Sequence, residues 1–173
     1  MKPEQLSIAL AGGIKHKFPI LIKGAPGIGK TKLVEAAAEK AKANLIVMHP
    51  VVDDPVDYKG LPMGHPDENG TFVADFFPIG SLRQLVEASE LTVCFLDDLG
   101  QAPPAVQAAC MQLILARKIN TVDVSPHVVF VGATNRKEDR AGVTGILEPV
   151  KSRFVTILEL EPDLDQWIKW AYV

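Results

Sequence analysis

The feature that most constrains this chain is the segment ILIKGAPGIGKT at residues 20–31. An apolar run leads into a glycine-rich turn, and Lys30 and Thr31 stand where a helix is predicted to begin. Gly24, Gly29, Lys30 and Thr31 satisfy the pattern G-x-x-x-x-G-K-[ST]. Glycines let the backbone wrap closely around phosphate oxygens, and the amides and helix N-terminus attract an anion. The segment predicts a triphosphate-binding loop. A plain strand-to-helix turn is the alternative, and the flanking strand and helix disfavour it.

The residue types of this loop indicate a division of roles. Lys30 would reach the β and γ phosphates, and Thr31 would hold a magnesium ion. The other positions would cradle the phosphates through their backbone amides. The predicted nucleotide-binding residues are Gly24, Ala25, Pro26, Gly27, Ile28, Gly29, Lys30, Thr31 and Lys32.

Short apolar runs rich in β-branched and aromatic residues alternate with helical patterns along the chain. Such runs indicate a parallel sheet covered on both faces, and the alternation indicates a doubly wound α/β fold. Ser81 suits the N-cap of a helix, and Pro103 with Pro104 suits a first helical turn. The predicted strands are residues 18–23, 44–49, 92–97, 127–134 and 154–160, and the predicted helices are residues 31–42, 81–90, 103–117 and 144–151.

Residues 50–80 lack a clear period. They hold five prolines and four glycines, with a candidate hairpin at GTFVADFF. An irregular stretch of this length in a compact domain is usually functional or mobile.

Composition excludes several classes of protein. The chain has 173 residues, 47% of them hydrophobic, which fits one globular domain. A net charge of −3 shows no basic excess of the kind that binds nucleic acid. Glu4, Gln5 and Ser7 interrupt the apolar N-terminal stretch, which disfavours a secretory signal peptide. No apolar run is long enough to span a membrane. The histidines lack the spacing of metal ligands. Cys94 and Cys110 lie in apolar patterns, which favours reduced, buried thiols and a cytoplasmic location.

A second signal is TVCFLDDLG, an apolar strand that ends in Asp97 and Asp98. The carboxyl ends of parallel strands share one edge of a sheet, so both carboxylates are expected beside the phosphate loop. Asp97 would bind magnesium and Asp98 would polarise the attacking water. The alternative is that the two aspartates only cap the turn before Pro103.

Two further segments carry candidate residues. The strand VFVGAT delivers Thr134 and Asn135 to the same edge, where the Asn135 amide could hold a water or a γ-phosphate oxygen; a turn-forming role is its alternative. Arg153 precedes the last strand, and its guanidinium could bind phosphate or be a solvated surface group.

On these residues the chain resembles the AAA+ ATPases, and within them the MoxR-like and dynein-related branch. Residues 24–31 match the Walker A loop, residues 93–98 the Walker B strand, and Asn135 the sensor 1 position. The segment EPVKSRF resembles the stretch that carries the arginine finger. The resemblance implies a P-loop NTPase fold, a three-layer sandwich around a five-stranded parallel sheet of order 5-1-4-3-2, with strands counted along the chain.

The resemblance also implies function. AAA+ proteins form rings, usually hexamers, that use ATP hydrolysis to remodel macromolecules, and Arg153 would then act in trans on a neighbouring subunit's ATP. Residues 53–82 resemble the segment that carries a pore-facing loop and an inserted hairpin in this branch. Tyr58, Lys59, Phe72 and Phe76 are therefore candidates for partner contact, with burial inside the hairpin as the alternative.

Two departures from the family pattern bear on activity. The family usually has glutamate where this chain has Asp98, which is one methylene shorter, and a displacement of about 1 Å can cost ~10²-fold in rate. The segment EPDLDQWIKWAYV ends where the family's helical lid would begin. We therefore expect a nucleotide-binding core at residues 1–162 and the start of a truncated or absent lid at residues 163–173.

The leading hypothesis is a magnesium-dependent ATPase with ATP and Mg²⁺ as ligands. It would form a homo-oligomeric ring and act on a macromolecular, most simply a protein, partner. No membrane role is expected, and the sequence does not indicate nucleic-acid binding. Its catalytic residues would be Lys30, Asp98, Asn135 and Arg153, and its metal ligands Thr31 and Asp97. The alternative is a nucleotide-dependent binding or assembly module with little hydrolysis. A small-molecule kinase is disfavoured because this sequence shows no signal of an acceptor pocket. A GTPase is disfavoured because the sequence has no guanine-reading N-K-x-D motif.

Overall fold

The computed structural model describes residues 1–139 and 145–171 of the chain. Its helices and strands, numbered along the chain, alternate as the apolar pattern predicts. They are α1 Pro3–Lys15, β1 Ile20–Gly24, α2 Lys30–Lys40, β2 Asn44–Met48, α3 Val56–Lys59, β3 Leu61–Pro66, β4 Phe72–Phe77, α4 Gly80–Glu87, β5 Thr92–Leu96, α5 Pro104–Ala116, β6 Lys118–Ile119, β7 Val122–Asp123, β8 Val128–Thr134, α6 Glu148–Lys151, β9 Thr156–Leu160 and α7 Leu164–Ala171.

The central sheet has five parallel strands in the order β2-β5-β8-β1-β9. Read from the β9 edge, this is the predicted order 5-1-4-3-2, so the α/β P-loop NTPase fold is confirmed. Because the strands are parallel, the segments that follow β1, β5 and β8 all leave from the same edge. That edge receives the phosphate loop, the acidic pair and Asn135.

Alternate residues of the strands enter two separate hydrophobic layers, one on each face of the sheet. On one face, Leu6, Leu10 and Ile14 of α1 and Val34 of α2 pack against the β1, β5 and β8 side chains that point that way. The opposite face is covered by α3, α4, α5 and α6. Every residue of β5 and β8 is buried, as expected for strands covered on both faces.

The structure adds one element to the sequence analysis and corrects two of its expectations. Helix α1 was not predicted, although Pro3 at its first turn and the apolar positions 6, 10 and 14 follow a helical period. Ser81 is not an N-cap: Ile79 occupies that position and Ser81 lies inside the first turn of α4. The stretch at residues 50–80 is not irregular, because it contains α3 and an antiparallel hairpin. The predicted hairpin segment GTFVADFF supplies only β4, which pairs with β3 before it.

Within the described ranges 1–139 and 145–171, no helix has the length and apolar character that crossing a membrane requires. Cys94 and Cys110 are free and buried, as predicted. Burial raises the pKa of the Cys94 thiol to about 12, which makes it a packing residue and a poor nucleophile.

Candidate functional site

The loop between β1 and α2 has the backbone shape that its glycines predict. Gly27 and Gly29 have φ of +74° and +90°, values that other residues rarely adopt, and a Cβ at either position would face open space. Gly24 is needed for a different reason, since a Cβ there would lie 2.7 Å from the Ile28 side chain and 3.2 Å from Leu160. The loop can therefore turn tightly and still leave its outer face open to a ligand.

The Lys30 ammonium lies at the centre of the site. Lys30 is only 7% exposed, and its Nζ donates to the carbonyl oxygens of Gly24 at 3.2 Å and Ala25 at 3.0 Å. It also donates to Oδ1 of Asn135 at 2.5 Å, a contact between residues 105 positions apart. The structure thus brings the phosphate loop and the candidate sensor together.

Burial lowers the pKa of Lys30, and the nearby Asp98 and Asp97 carboxylates partly oppose that shift. The three acceptors around the ammonium are neutral oxygens. A polyanion bound here would stabilise the buried positive charge more than these carbonyls do.

Thr31 and Asp97, the predicted magnesium ligands, lie in hydrogen-bond contact. The Thr31 hydroxyl donates to Oδ2 of Asp97 at 2.8 Å, and Oδ1 of Asp97 accepts from the Asp98 N–H at 3.0 Å. Hydroxyl and carboxylate oxygens are the ligands that Mg²⁺ takes in phosphate-binding sites.

Asp98 begins a tight turn after β5. Its backbone is left-handed, with φ of 54°, and a 3₁₀ turn follows at Leu99–Gln101. Oδ1 of Asp98 accepts from Nε2 of Gln101 at 2.9 Å. The Asp98 carboxylate also opposes the lowering of the Lys30 pKa by burial.

Asn135 follows β8 and is buried, with 7% of its surface exposed. The turn at Leu99–Gln101 packs against the end of β8, where a Cβ on Gly100 would lie 2.0 Å from the Thr134 hydroxyl. The contact of Gly100 with Thr134 therefore brings the turn that contains Asp98 close to Asn135.

Two of the predicted site residues stand apart from this cluster. The Lys32 side chain is exposed and pairs with Glu35 at 2.6 Å. The prediction that Lys32 binds phosphate therefore depends on its backbone amide. Arg153 precedes β9 and therefore lies at the edge of the sheet opposite the phosphate loop. Its Nε is buried and has no hydrogen-bond partner among the described residues.

The residues present fit ATP with Mg²⁺. The open glycine loop, the buried ammonium surrounded by neutral acceptors, and the Thr31–Asp97 oxygen pair occupy one edge of the sheet. Each has the chemistry that a triphosphate and its magnesium ion need.

Comparison with known families agrees with this geometry. Residues 20–161 match the model of the ATPase family associated with various cellular activities, AAA. The chain belongs to the AAA family. ATP is therefore the nucleotide that this family implies for the site. Among proteins with curated functions, none matches the sequence significantly.

Several solved AAA-type structures share the fold. A single-residue variant of Thermotoga maritima RuvB aligns with a TM-score of 0.61 and 25% identity, over 91% of this chain and 44% of that one. The RuvB Holliday junction branch migration motor of the same organism gives 0.58 and 24%, over 91% and 43%. A candidate ATPase from Cytophaga hutchinsonii gives 0.60 and 17%, over 96% and 48%. The chain spans less than half the length of each of these proteins.

Sequence reasoning missed two side-chain pairs near the site. One is Asp98 with Gln101, described above. The other is Arg136 with Asp139, a two-pronged ion pair at 2.8 and 2.9 Å directly after Asn135. The three-residue spacing of both pairs is visible in the sequence. This spacing is common in ordinary turns, so it indicates a site only when the structure shows that the turns follow the strands of the site.

The structure also separates the four residues named for partner contact. Tyr58 is 1% exposed and its hydroxyl donates to Asp53 at 2.6 Å, so the prediction of a partner contact through Tyr58 is wrong. Tyr58 belongs to the hydrophobic core that also contains the buried residues of α4 and α5. Lys59 is exposed, and Phe72 and Phe76 are 76% and 39% exposed on the hairpin.

Proposed function

We propose that this chain is the magnesium-dependent, ATP-hydrolysing core of an AAA+ remodelling protein. The observation that supports this most directly is the contact of the buried Lys30 ammonium with both the phosphate loop and Asn135. This contact brings together two predicted site residues that lie 105 positions apart in the sequence. An ordinary structural lysine would gain little from burial among neutral acceptors.

The chain's own residues divide the reaction between them. The glycine loop and Lys30 bind and neutralise phosphate oxygens. Thr31 and Asp97 would hold a magnesium ion, which would draw electron density from the phosphates. Asp98 accepts a hydrogen bond from the attacking water and orients it. Asn135 holds Lys30 and senses the γ-phosphate end of the site. The products are ADP and phosphate, with the water oxygen on the phosphate.

We further infer a ring of identical subunits in which Arg153 completes a neighbour's site. Its position at the sheet edge opposite its own phosphate loop supports action in trans. The exposed Phe72 and Phe76 on the hairpin support a macromolecular partner of the MoxR-like, dynein-related branch. A cytoplasmic location fits the two free, buried cysteines.

A second candidate is a nucleotide-dependent assembly module that binds ATP and hydrolyses it very slowly. The observation that favours it is Asp98, whose short side chain is already hydrogen-bonded to Gln101. A carboxylate held back from the phosphate would leave binding intact and weaken turnover.

The proposal is tested by measuring ATP affinity by calorimetry and phosphate release in the presence of Mg²⁺. We expect Lys30→Ala to weaken ATP binding by at least about tenfold, because a charge-assisted contact to phosphate contributes ~1.5–3 kcal/mol. Lys40→Ala, at the exposed end of the same helix, is the matched control. Equal affinity in both variants would contradict the site, and tight binding without phosphate release would select the assembly module.

A further inference from the structure

We propose that Gln101 holds the attacking water together with Asp98, and so compensates for the short carboxylate. This role rests on the proposed ATP hydrolysis. It assigns a function to a residue outside the phosphate loop, the acidic pair and the sensor.

The first observation is the way Gln101 is tied to Asp98. Its Nε2 donates to Oδ1 of Asp98 at 2.9 Å, and its backbone N–H donates to the Asp98 carbonyl at 2.9 Å. Two hydrogen bonds in one short turn fix the side chain of Gln101 relative to the carboxylate. The left-handed backbone of Asp98 makes this turn possible.

The second observation is the other half of the Gln101 amide. Its Oε1 is buried and accepts no hydrogen bond from residues 1–139 or 145–171. Rotating the amide would set this oxygen against the Asp98 carboxylate, so the orientation follows from charge. A buried carbonyl oxygen needs a donor, and a water molecule beside Asp98 is a donor of suitable size.

The third observation is the position of this turn. Asp98 directly follows Asp97, whose carboxylate accepts from the Thr31 hydroxyl at 2.8 Å, and Gly100 packs against Thr134, the residue before Asn135. The Asp98–Gln101 pair therefore lies next to the groups that face the γ-phosphate end of the site.

These three observations define how a water would be held. One hydrogen would be donated to Asp98 and the other to Oε1 of Gln101, which leaves an oxygen lone pair free to attack. As the oxygen bonds to the γ phosphorus, the bond from that phosphorus to ADP breaks, and the proton passes through Asp98 to the product phosphate. Glutamine orients the attacking water in other nucleotide hydrolases.

The first test is kinetic. Gln101→Met keeps the length of the side chain and removes both polar atoms, and we expect kcat to fall about 10–100-fold with KM and ATP affinity unchanged. Gln84→Met, at an exposed position of α4, is the control. In an Asp98→Glu background the longer carboxylate should reach the water unaided, so the same change at Gln101 should cost less than about threefold.

The second test does not depend on turnover. An atomic-resolution crystal structure of the nucleotide-free protein should show a water within hydrogen-bond distance of both Gln101 Oε1 and Asp98. The Gln101→Met protein should lack it. A protein donor at Oε1, or no water there, would overturn the proposal.

The outcomes separate this proposal from the proposed function. Wild-type turnover that Gln101→Met leaves unchanged would overturn the role of Gln101 and leave the ATPase intact. A wild type that binds ATP without turnover would overturn both. If Gln101→Met does not fold, Gln101→Leu serves instead, with the same expected fall in kcat at unchanged ATP affinity. An unchanged kcat in that variant would overturn the role.

Discussion

Gly29 holds its backbone at φ +90°, at the point where the phosphate loop enters α2. Lys30 and Thr31 follow it directly, so the direction of both side chains depends on this one left-handed residue. Any other residue type at position 29 would be strained in the native conformation even though the space above it is open.

We therefore predict that Gly29→Ala lowers the free energy of unfolding by about 1–2 kcal/mol and weakens ATP binding. Gly12→Ala is the matched control, because Gly12 is an exposed position of α1 where a Cβ meets nothing within 4 Å and φ is not positive. That change should stabilise the protein by about 0.5–1 kcal/mol. Urea denaturation and calorimetric titration measure both effects. Similar stability changes in the two variants would refute the role of backbone strain.

Helix α5 is linked to the segment before α6 by one buried side chain. Gln107 is 0% exposed, and its amide donates to the carbonyl oxygens of Ala102 at 3.0 Å and Gly145 at 3.1 Å. Its Oε1 accepts from the Leu147 N–H at 2.8 Å. The helix that follows the acidic pair is thus connected to the segment that leads to Arg153.

Gln107→Leu should lower the free energy of unfolding by about 3 kcal/mol, because it leaves buried carbonyl and amide groups without partners. Gln84→Leu on α4 makes the same change at an exposed position and should alter stability by less than about 0.5 kcal/mol. Urea denaturation distinguishes the two. Equal effects would show that the Gln107 hydrogen bonds do not stabilise the link between α5 and α6.

The whole molecule presents its phosphate loop at one edge of the sheet and Arg153 at the other. In the head-to-tail ring that we propose, these two edges would meet at each interface between subunits. Arg153 would then reach a phosphate that its own chain does not bind.

This arrangement predicts complementation between two inactive variants. Lys30→Ala protein keeps Arg153, and Arg153→Ala protein keeps the nucleotide site. In an equal mixture about half the subunits keep the site and half of these face an intact Arg153, so about a quarter of the wild-type phosphate release should return. Arg83→Ala, which removes an exposed arginine of α4, is the control. No recovery in mixtures that light scattering shows to be oligomeric would exclude action in trans.

Much of this fold and site could be predicted from sequence because the signals are local. The phosphate loop is a run of consecutive residues with a fixed spacing, and β5 and β8 are unbroken apolar runs that end in Asp97 and Asn135. Parallel pairing then places the ends of these strands at one edge. These features depend on neighbours along the chain, which a sequence displays directly.

Only the tertiary structure decided which side chains meet. The Lys30–Asn135 contact spans 105 positions, Tyr58 is buried although its segment is largely exposed, and Oε1 of Gln101 is enclosed beside Asp98. Burial and pairing of this kind result from how the layers pack, and no periodicity along the chain encodes them. The sequence determined that a triphosphate loop and an acidic pair share one edge; packing determined how closely the groups around them approach.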